Sequence, residues 1–217
     1  MTFSSLSGLS HRTLPALTLV AGAFFAPSLA ADEANNVDAN SAEAIFAGGC
    51  FWCMEPPYDD QPGVEATISG YIGGELENPT YEDIVGGETG HAEVVRIDYQ
   101  PDEISYEQLL EIFWRNIDPF AVDQQFCDVG DQYRSAIFYL NDEQRELAEA
   151  SKAEMEERFG QEIATQIVAA DTFWEAEEYH QDYYQKNPVR YKFYRFSCGR
   201  DNRLEEIWGD EAGGPTF

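Results

Sequence analysis

Residues 43–60 read EAIFAGGCFWCMEPPYDD, and the fold turns on how that stretch divides. EAIFAGG has the apolar run and terminal glycines of a short buried strand. CFWCMEPPYDD has the make-up of a short helix ended by Pro56 and Pro57. A strand that passes straight into a helix opens a β-α unit, and the next segments extend it.

VEATISGYIGG, residues 64–74, reads as a second strand, broken at Gly70 and closed by Gly73 and Gly74. NPTYEDIVGG, residues 78–87, is a turn with a short helix, and HAEVVRIDY, residues 91–99, is a third strand. In PDEISYEQLLEIFWRN, residues 101–116, Leu109, Leu110, Ile112 and Phe113 mark the buried face of an amphipathic helix that Ser105 caps. YRSAIFYL, residues 133–140, is a fourth strand. Strand, helix, strand, strand, helix, strand is the order of an α+β, two-layer sandwich with a ferredoxin-like split βαβ core.

Beyond this core, residues 141–160 form a surface helix with Asn141 as its cap and Gly160 as its stop. TQIVAAD, residues 165–171, reads as an extra strand and EAEEYHQDYYQKN, residues 175–187, as an extra helix. An irregular, glycine-punctuated aromatic tail follows Pro188. One catalytic domain spans 42–210, and 211–217 is a disordered tail.

The chain has 217 residues, 43% hydrophobic and 14% aromatic, enough for one substantial core. Its formal net charge of −28 repels nucleic acid and anionic lipid. Residues 1–30 contain no acid, a weak basic start at His11 and Arg12, an apolar run over 14–26, and small residues at Ser28 and Ala30. This is the pattern of a cleaved secretory signal. The run falls short of the roughly 20 residues a membrane span needs. Residues 31–41 form a polar, flexible leader, so the expectation is an exported, periplasmic protein with no stable membrane insertion, monomeric in solution.

Four cysteines remain after such processing: Cys50, Cys53, Cys127 and Cys198. In an oxidising compartment they could form two structural bridges. The Cys-x-x-Cys pair also admits a metal half-site, a redox dithiol, or one nucleophile with a bystander. A second tight pair for a metal is lacking, since seventy residues part Cys127 from Cys198. A helix beginning at Cys50 would set its thiol among free backbone N–H groups and lower its pKa below about 8.5. The paired glycines before it would let the chain turn and a substrate approach the backbone.

GCFW at 49–52, GYIGG at 70–74, NPTYEDIVGGETGHAEVV at 78–95 and DVGDQYRS at 128–135 resemble, in that order, the A-type peptide methionine sulfoxide reductases. AEEYHQDYYQKNP and FYRFSCGRDNRLEEIWG extend the likeness. The resemblance implies thiol-dependent reduction of methionine (S)-sulfoxide, free or in proteins, in repair of oxidised exported proteins. It implies no metal and no organic cofactor.

On the same resemblance, Cys50 is the nucleophile and Phe51 and Trp52 wall the pocket for the substrate methyl. Glu93 is the acid, held neutral by an aromatic pocket, and Tyr81 and Tyr133 hydrogen-bond the sulfoxide oxygen. Asp128 fixes the substrate, and His91 and Arg134 support the site. Cys50 would emerge as a sulfenic acid that condenses with a second thiol. Cys198 ranks first as the resolving residue, in a tail of the kind where relatives carry one. Cys53 stands where many relatives have glycine, and Cys127 is the outsider. The reductant is an outside dithiol, thioredoxin or a thioredoxin-like protein. A thiol-disulfide oxidoreductase and a disulfide-stapled binding domain are the competing classes.

Overall fold

The computed structural model describes residues 41–217. Residues 1–40, which hold the expected secretory signal and all but the last residue of the expected leader, lie outside the described residues. The chain opens with β1 (Ala42–Gly48), α1 (Phe51–Met54), α2 (Pro56–Asp59), β2 (Val64–Ile72), α3 (Tyr81–Gly86), β3 (Ala92–Tyr99) and α4 (Tyr106–Arg115). A small hairpin of β4 (Gln124–Gln125) and β5 (Asp128–Val129) leads through a 3-10 turn, Asp131–Tyr133, into β6 (Ser135–Tyr139). Then come α5 (Asp142–Phe159), β7 (Gln166–Ala169), β8 (Trp174–Glu175), α6 (Tyr183–Lys186), α7 (Pro188–Ser197) and α8 (Arg200–Trp208).

Among the described residues six strands pair in the order β7-β6-β1-β3-β2-β8. Every pairing is antiparallel except β6 with β7. The molecule is thus a mixed α/β protein built on a central, mostly antiparallel sheet. Alternation gives the sheet two buried faces. Ala44, Phe46, Val95, Ile97 and Ile137 pack under α4 and α5 with Leu109, Phe113, Trp114 and Ala148. Ile45, Ala47, Ile72, Val94 and Phe138 form a smaller cluster on the reverse side, with Phe173 against it.

The helix ends follow their local chemistry. Thr80 and Ser105 each close a capping box, with Asp83 and Gln108 reaching back, a motif that satisfies two otherwise orphaned N–H groups. Asn141 accepts from the Gln144 N–H, and left-handed Gly160 stops α5.

Five expectations change. Pro56 and Pro57 begin α2 as its first two residues rather than ending a helix, because Pro lacks the N–H that a first turn leaves unpaired anyway. Strand β2 runs unbroken through Gly70, where a Cβ would stand 2.4 Å from the Phe173 ring and 2.6 Å from the Trp174 carbonyl. The glycine there admits edge strand β8. Residues 175–187 hold the end of β8, turns and the four-residue α6 rather than one helix, and the tail beyond Pro188 is two helices rather than irregular. Residues 211–217, expected to be a disordered tail, are tied down, beginning with Glu211, which pairs with Arg115 and Arg158. The Gly213 N–H donates to the Arg115 carbonyl, Asn116 Nδ2 to the Gly213 carbonyl, and Gln61 Nε2 to the Pro215 carbonyl.

Among the described residues no helix is long and apolar enough to cross a membrane.

Candidate active site

The β1–α1 turn places the first thiol. Gly49 has φ +82°, and a Cβ there would lie 2.5 Å from Gln125 Cβ; one on Gly48 would lie 2.5 Å from Met54 Sδ. So the paired glycines do turn the chain, but what approaches their backbone is Met54 and Gln125, not open space for a substrate. Cys50 follows as the N-cap of α1, 6% exposed, with Cys53 one turn on and 1% exposed; both thiols are free.

The helix terminus does not hold a thiolate at Cys50. The first amide of α1, the Phe51 N–H, donates to Glu93 Oε2 at 3.2 Å. Burial, together with Cys53 and Glu93, pushes the Cys50 thiol well up. Cys53 accepts a hydrogen bond from Cys50 and, against the cost of burial, is drawn down to about 6, helped by Arg200 and Arg195. Within the pair the proton is thus biased toward Cys50 and the charge toward Cys53.

Glu93 sits on β3 opposite Tyr71, 1% exposed, on the same face as Val95. Burial raises it to about 8, only partly offset by the Phe51 amide. At neutral pH it is mainly a carboxylic acid, able to donate a proton.

Around these two groups stand the other residues expected from the sequence. Tyr81 opens α3 and Tyr133 ends the 3-10 turn rather than lying in a strand. Burial and then Glu93 raise both phenols, and each also feels Cys50 and Asp128. Asp128 begins β5; burial raises its carboxyl, and the Tyr194 hydroxyl donates to it. Phe51 is fully buried against Tyr71 and His180, while Trp52 is half-buried beside it, ring centroids 6.4 Å apart. His91 accepts from the Gly74 N–H through Nδ1 and meets the Leu76 carbonyl at Nε2, pinning two glycine loops. Arg134 does the same for the Gly90 and Asp131 carbonyls.

Cys198 is not with Cys50. It caps the end of α7 and forms a disulfide with Cys127.

Several contributors that the sequence motifs do not single out all come from 177–200. The Trp52 indole donates to His180 Nδ1 at 3.0 Å and stacks on Tyr183 with centroids 3.7 Å apart. Burial lowers His180 to about 4, so its ring is neutral and free to accept. Glu177 takes the Tyr81 N–H and the Tyr71 hydroxyl, locking α3 to β2. Tyr194 lies within hydrogen-bonding reach of Cys50. Arg200, buried over the Phe126 ring, donates to the Gly48 and Asn116 carbonyls at 3.2 and 2.7 Å. Their mark in the sequence is the two later motifs, AEEYHQDYYQKNP and FYRFSCGRDNRLEEIWG, which extend the likeness without giving these residues a role.

The profile of the family described as Peptide methionine sulfoxide reductase matches residues 42–212. Peptide methionine sulfoxide reductase MsrA of Bacillus velezensis is 53% identical over 169 residues, covering 77% of this chain and 96% of that protein. Peptide methionine sulfoxide reductase MsrA 2 of Rhizobium meliloti is 50% identical over 169 residues, covering 78% and 84%. Among solved structures, reduced Mxr1 of Saccharomyces cerevisiae superposes with a TM-score of 0.66 at 34% identity, over 70% of this chain and 88% of its own. Methionine sulfoxide reductase A of Corynebacterium diphtheriae gives 0.64 at 30% identity, over 71% and 78%. The chain belongs to the peptide methionine sulfoxide reductases, oxidoreductases that return oxidised methionine to methionine.

Proposed function

We propose that the enzyme reduces the S epimer of methionine sulfoxide at Cys50, with Glu93 as proton donor to the departing oxygen. The observation that carries this is the neutral Glu93 carboxyl hydrogen-bonded to the amide beside Cys50. Cys50 Sγ bonds to the substrate sulfur while its proton passes to the Cys53 thiolate, the S–O bond breaks as Glu93 protonates the oxygen, and the hydroxide so released adds to Cys50 Sγ and expels the methionine sulfur from it. Tyr81 and Tyr133 hold that oxygen, Asp128 holds the substrate backbone, and Phe51 and Trp52 take its methyl. Methionine leaves and Cys50 is a sulfenic acid.

Cys53, hydrogen-bonded to Cys50, then condenses with it. The water released carries one proton from Cys50 and one from Glu93, and the charge that began on Cys53 ends on the Glu93 carboxylate, which solvent reprotonates. An external dithiol of the thioredoxin kind restores the thiols, and no prosthetic group is needed. We read the β6-β1-β3-β2 order, with helices after β1 and β3, as a split βαβ core of the ferredoxin-like kind. We also read residues 1–30 as an export signal, on their acid-free start and apolar run, and so place the monomeric enzyme in the periplasm.

A chiral sulfoxide driven by dithiothreitol tests the reaction. One epimer should be consumed and the other left; consumption of both, or of neither, removes the assignment.

A further inference from the structure

Cys127 and Cys198 stand 71 residues apart in the chain, yet the β4–β5 turn and the end of α7 bring them together, with Asp128 beside them. Cys127 Sγ faces Asp128 Oδ1 at 3.8 Å, and Cys198 Sγ faces Oδ2 at 4.0 Å. Among the described residues this is the one group of three His, Cys, Asp or Glu side chains whose donor atoms all lie within 4.8 Å of one another. The long spacing that speaks against a metal in the sequence is closed by the fold.

We propose that, once their disulfide is reduced, Cys127, Cys198 and Asp128 form a binding site for a thiophilic divalent cation such as Zn²⁺. In a tetrahedral site, Zn–S bonds of about 2.3 Å and a Zn–O bond of about 2.1 Å put S···O at about 3.6 Å and S···S at about 3.8 Å. The S···O distances here are already within a few tenths of an ångström of that value. Only the sulfurs must part, and reduction parts them by breaking the bond between them.

The donors and their surroundings suit this ion. Two thiolates and a carboxylate are a set that zinc takes, whereas Mg²⁺ and Ca²⁺ ask for six or more oxygens. Each thiol gives its proton to solvent as it ligates, so two protons leave for each ion bound. Tyr194 donates to Asp128 Oδ2 and so orients the carboxylate from outside the ligand set. Among the described residues no cation pairs with that carboxylate. Arg200, whose charge acts on it, is engaged by the Gly48 and Asn116 carbonyls. Cys127 is exposed and the other two are half-buried, so a hydrated ion has a way in and keeps a fourth position for water. A formal net charge of −28 draws cations to the surface. The ion is no cofactor of the reduction. It tells the redox states apart, because a disulfide offers no thiolate to bind it.

Thiol protection in the whole chain tests the site without any substitution. Protein reduced and then freed of reductant under argon should take up one Zn²⁺ per chain and release two protons. One equivalent should slow iodoacetamide labelling of Cys127 and Cys198 by about 10²-fold, reversibly with EDTA, and leave Cys50 and Cys53 as they were. Protein that carries the Cys127–Cys198 disulfide should bind Zn²⁺ about 10²-fold more weakly or worse. Protection of Cys50 or Cys53, none at Cys127 and Cys198, or equal affinity in the oxidised protein overturns the site.

Cadmium reports the donors directly. In reduced Cys50→Ser/Cys53→Ser, which keeps only the proposed thiols, Cd²⁺ should produce the ultraviolet charge-transfer absorption of two thiolates. Asp128→Asn should retain two-thiolate binding and lose about tenfold in affinity. A one-thiolate band or none in the first variant, or unchanged affinity in the second, overturns the donor set.

Discussion

At the scale of single residues, the arrangement around Cys50 reverses a simple expectation about helix termini. An N-cap thiol gains from free amides only if nothing else takes them, and Glu93, 42 residues away, takes the first one. The acid therefore sits where the thiolate's stabiliser was expected, and the charge moves one turn along to Cys53. Two consequences follow for kinetics. Glu93→Gln should slow the single-turnover attack step by about 10²-fold with folding intact. In the wild type that rate should fall as pH rises through about 8, where the carboxyl ionises, while Glu93→Gln should show no such fall. A stopped-flow pH series on both proteins checks this; equal rates at neutral pH would remove the acid role.

Among the elements, those set by local rules are legible in the amino-acid sequence itself. Ser105, Asn141 and Gly160 act within three or four residues of themselves, and the caps form at the termini these residues mark. The alternation of β3 also puts Glu93 on the core side. The stretch 175–208 departs from its local signals because its partners are distant. Glu177 bonds Tyr81 and Tyr71, and Gln181 bonds the Ser69 amide and carbonyl, so a segment rich in helix formers is held open instead. The large residues after Pro188 fall on both faces of α7, Tyr191 and Tyr194 inward and Val189, Phe193 and Phe196 outward, so no single apolar stripe announces the helix.

Helix α8 owes its place to Arg200, whose guanidinium bridges carbonyls from the ends of β1 and α4. Arg200→Met should lower stability by about 2–4 kcal/mol in urea unfolding, since it strands buried acceptors. It should also raise the pH at which Cys53 becomes alkylatable, because a cationic neighbour of that thiolate is gone. Unchanged alkylation with lost stability would limit Arg200 to a packing role.

For the molecule as a whole, two buried acids set the response to pH. Burial lifts Glu55 to about 7 and Glu93 to about 8, each from an ordinary value of 4.5. On these two groups the native state binds more protons than the unfolded chain between those limits, a contribution to stability that falls as pH rises through them. His180, lowered to about 4, and Cys53, lowered to about 6, offset part of it in the opposite sense. Glu177 and Glu211 are shifted the other way, so their contribution is lost only as pH falls below the ordinary carboxylate range. Thermal melts from about pH 5 to about pH 8 should show a decline on the order of 1–3 kcal/mol. Glu55→Gln should flatten the part below about pH 7. An unchanged slope in that variant would mean that Glu55 gives up its proton without cost.

The methionines make a last point. Among the described residues there are two, Met54 and Met155, 1% and 9% exposed. Met54 is wedged under Gly48 and faces Arg200, and Met155 lies against Arg115. Hypochlorite or peroxide meeting the folded protein finds both thioethers shielded, so the repair catalyst keeps itself off the list of its own clients.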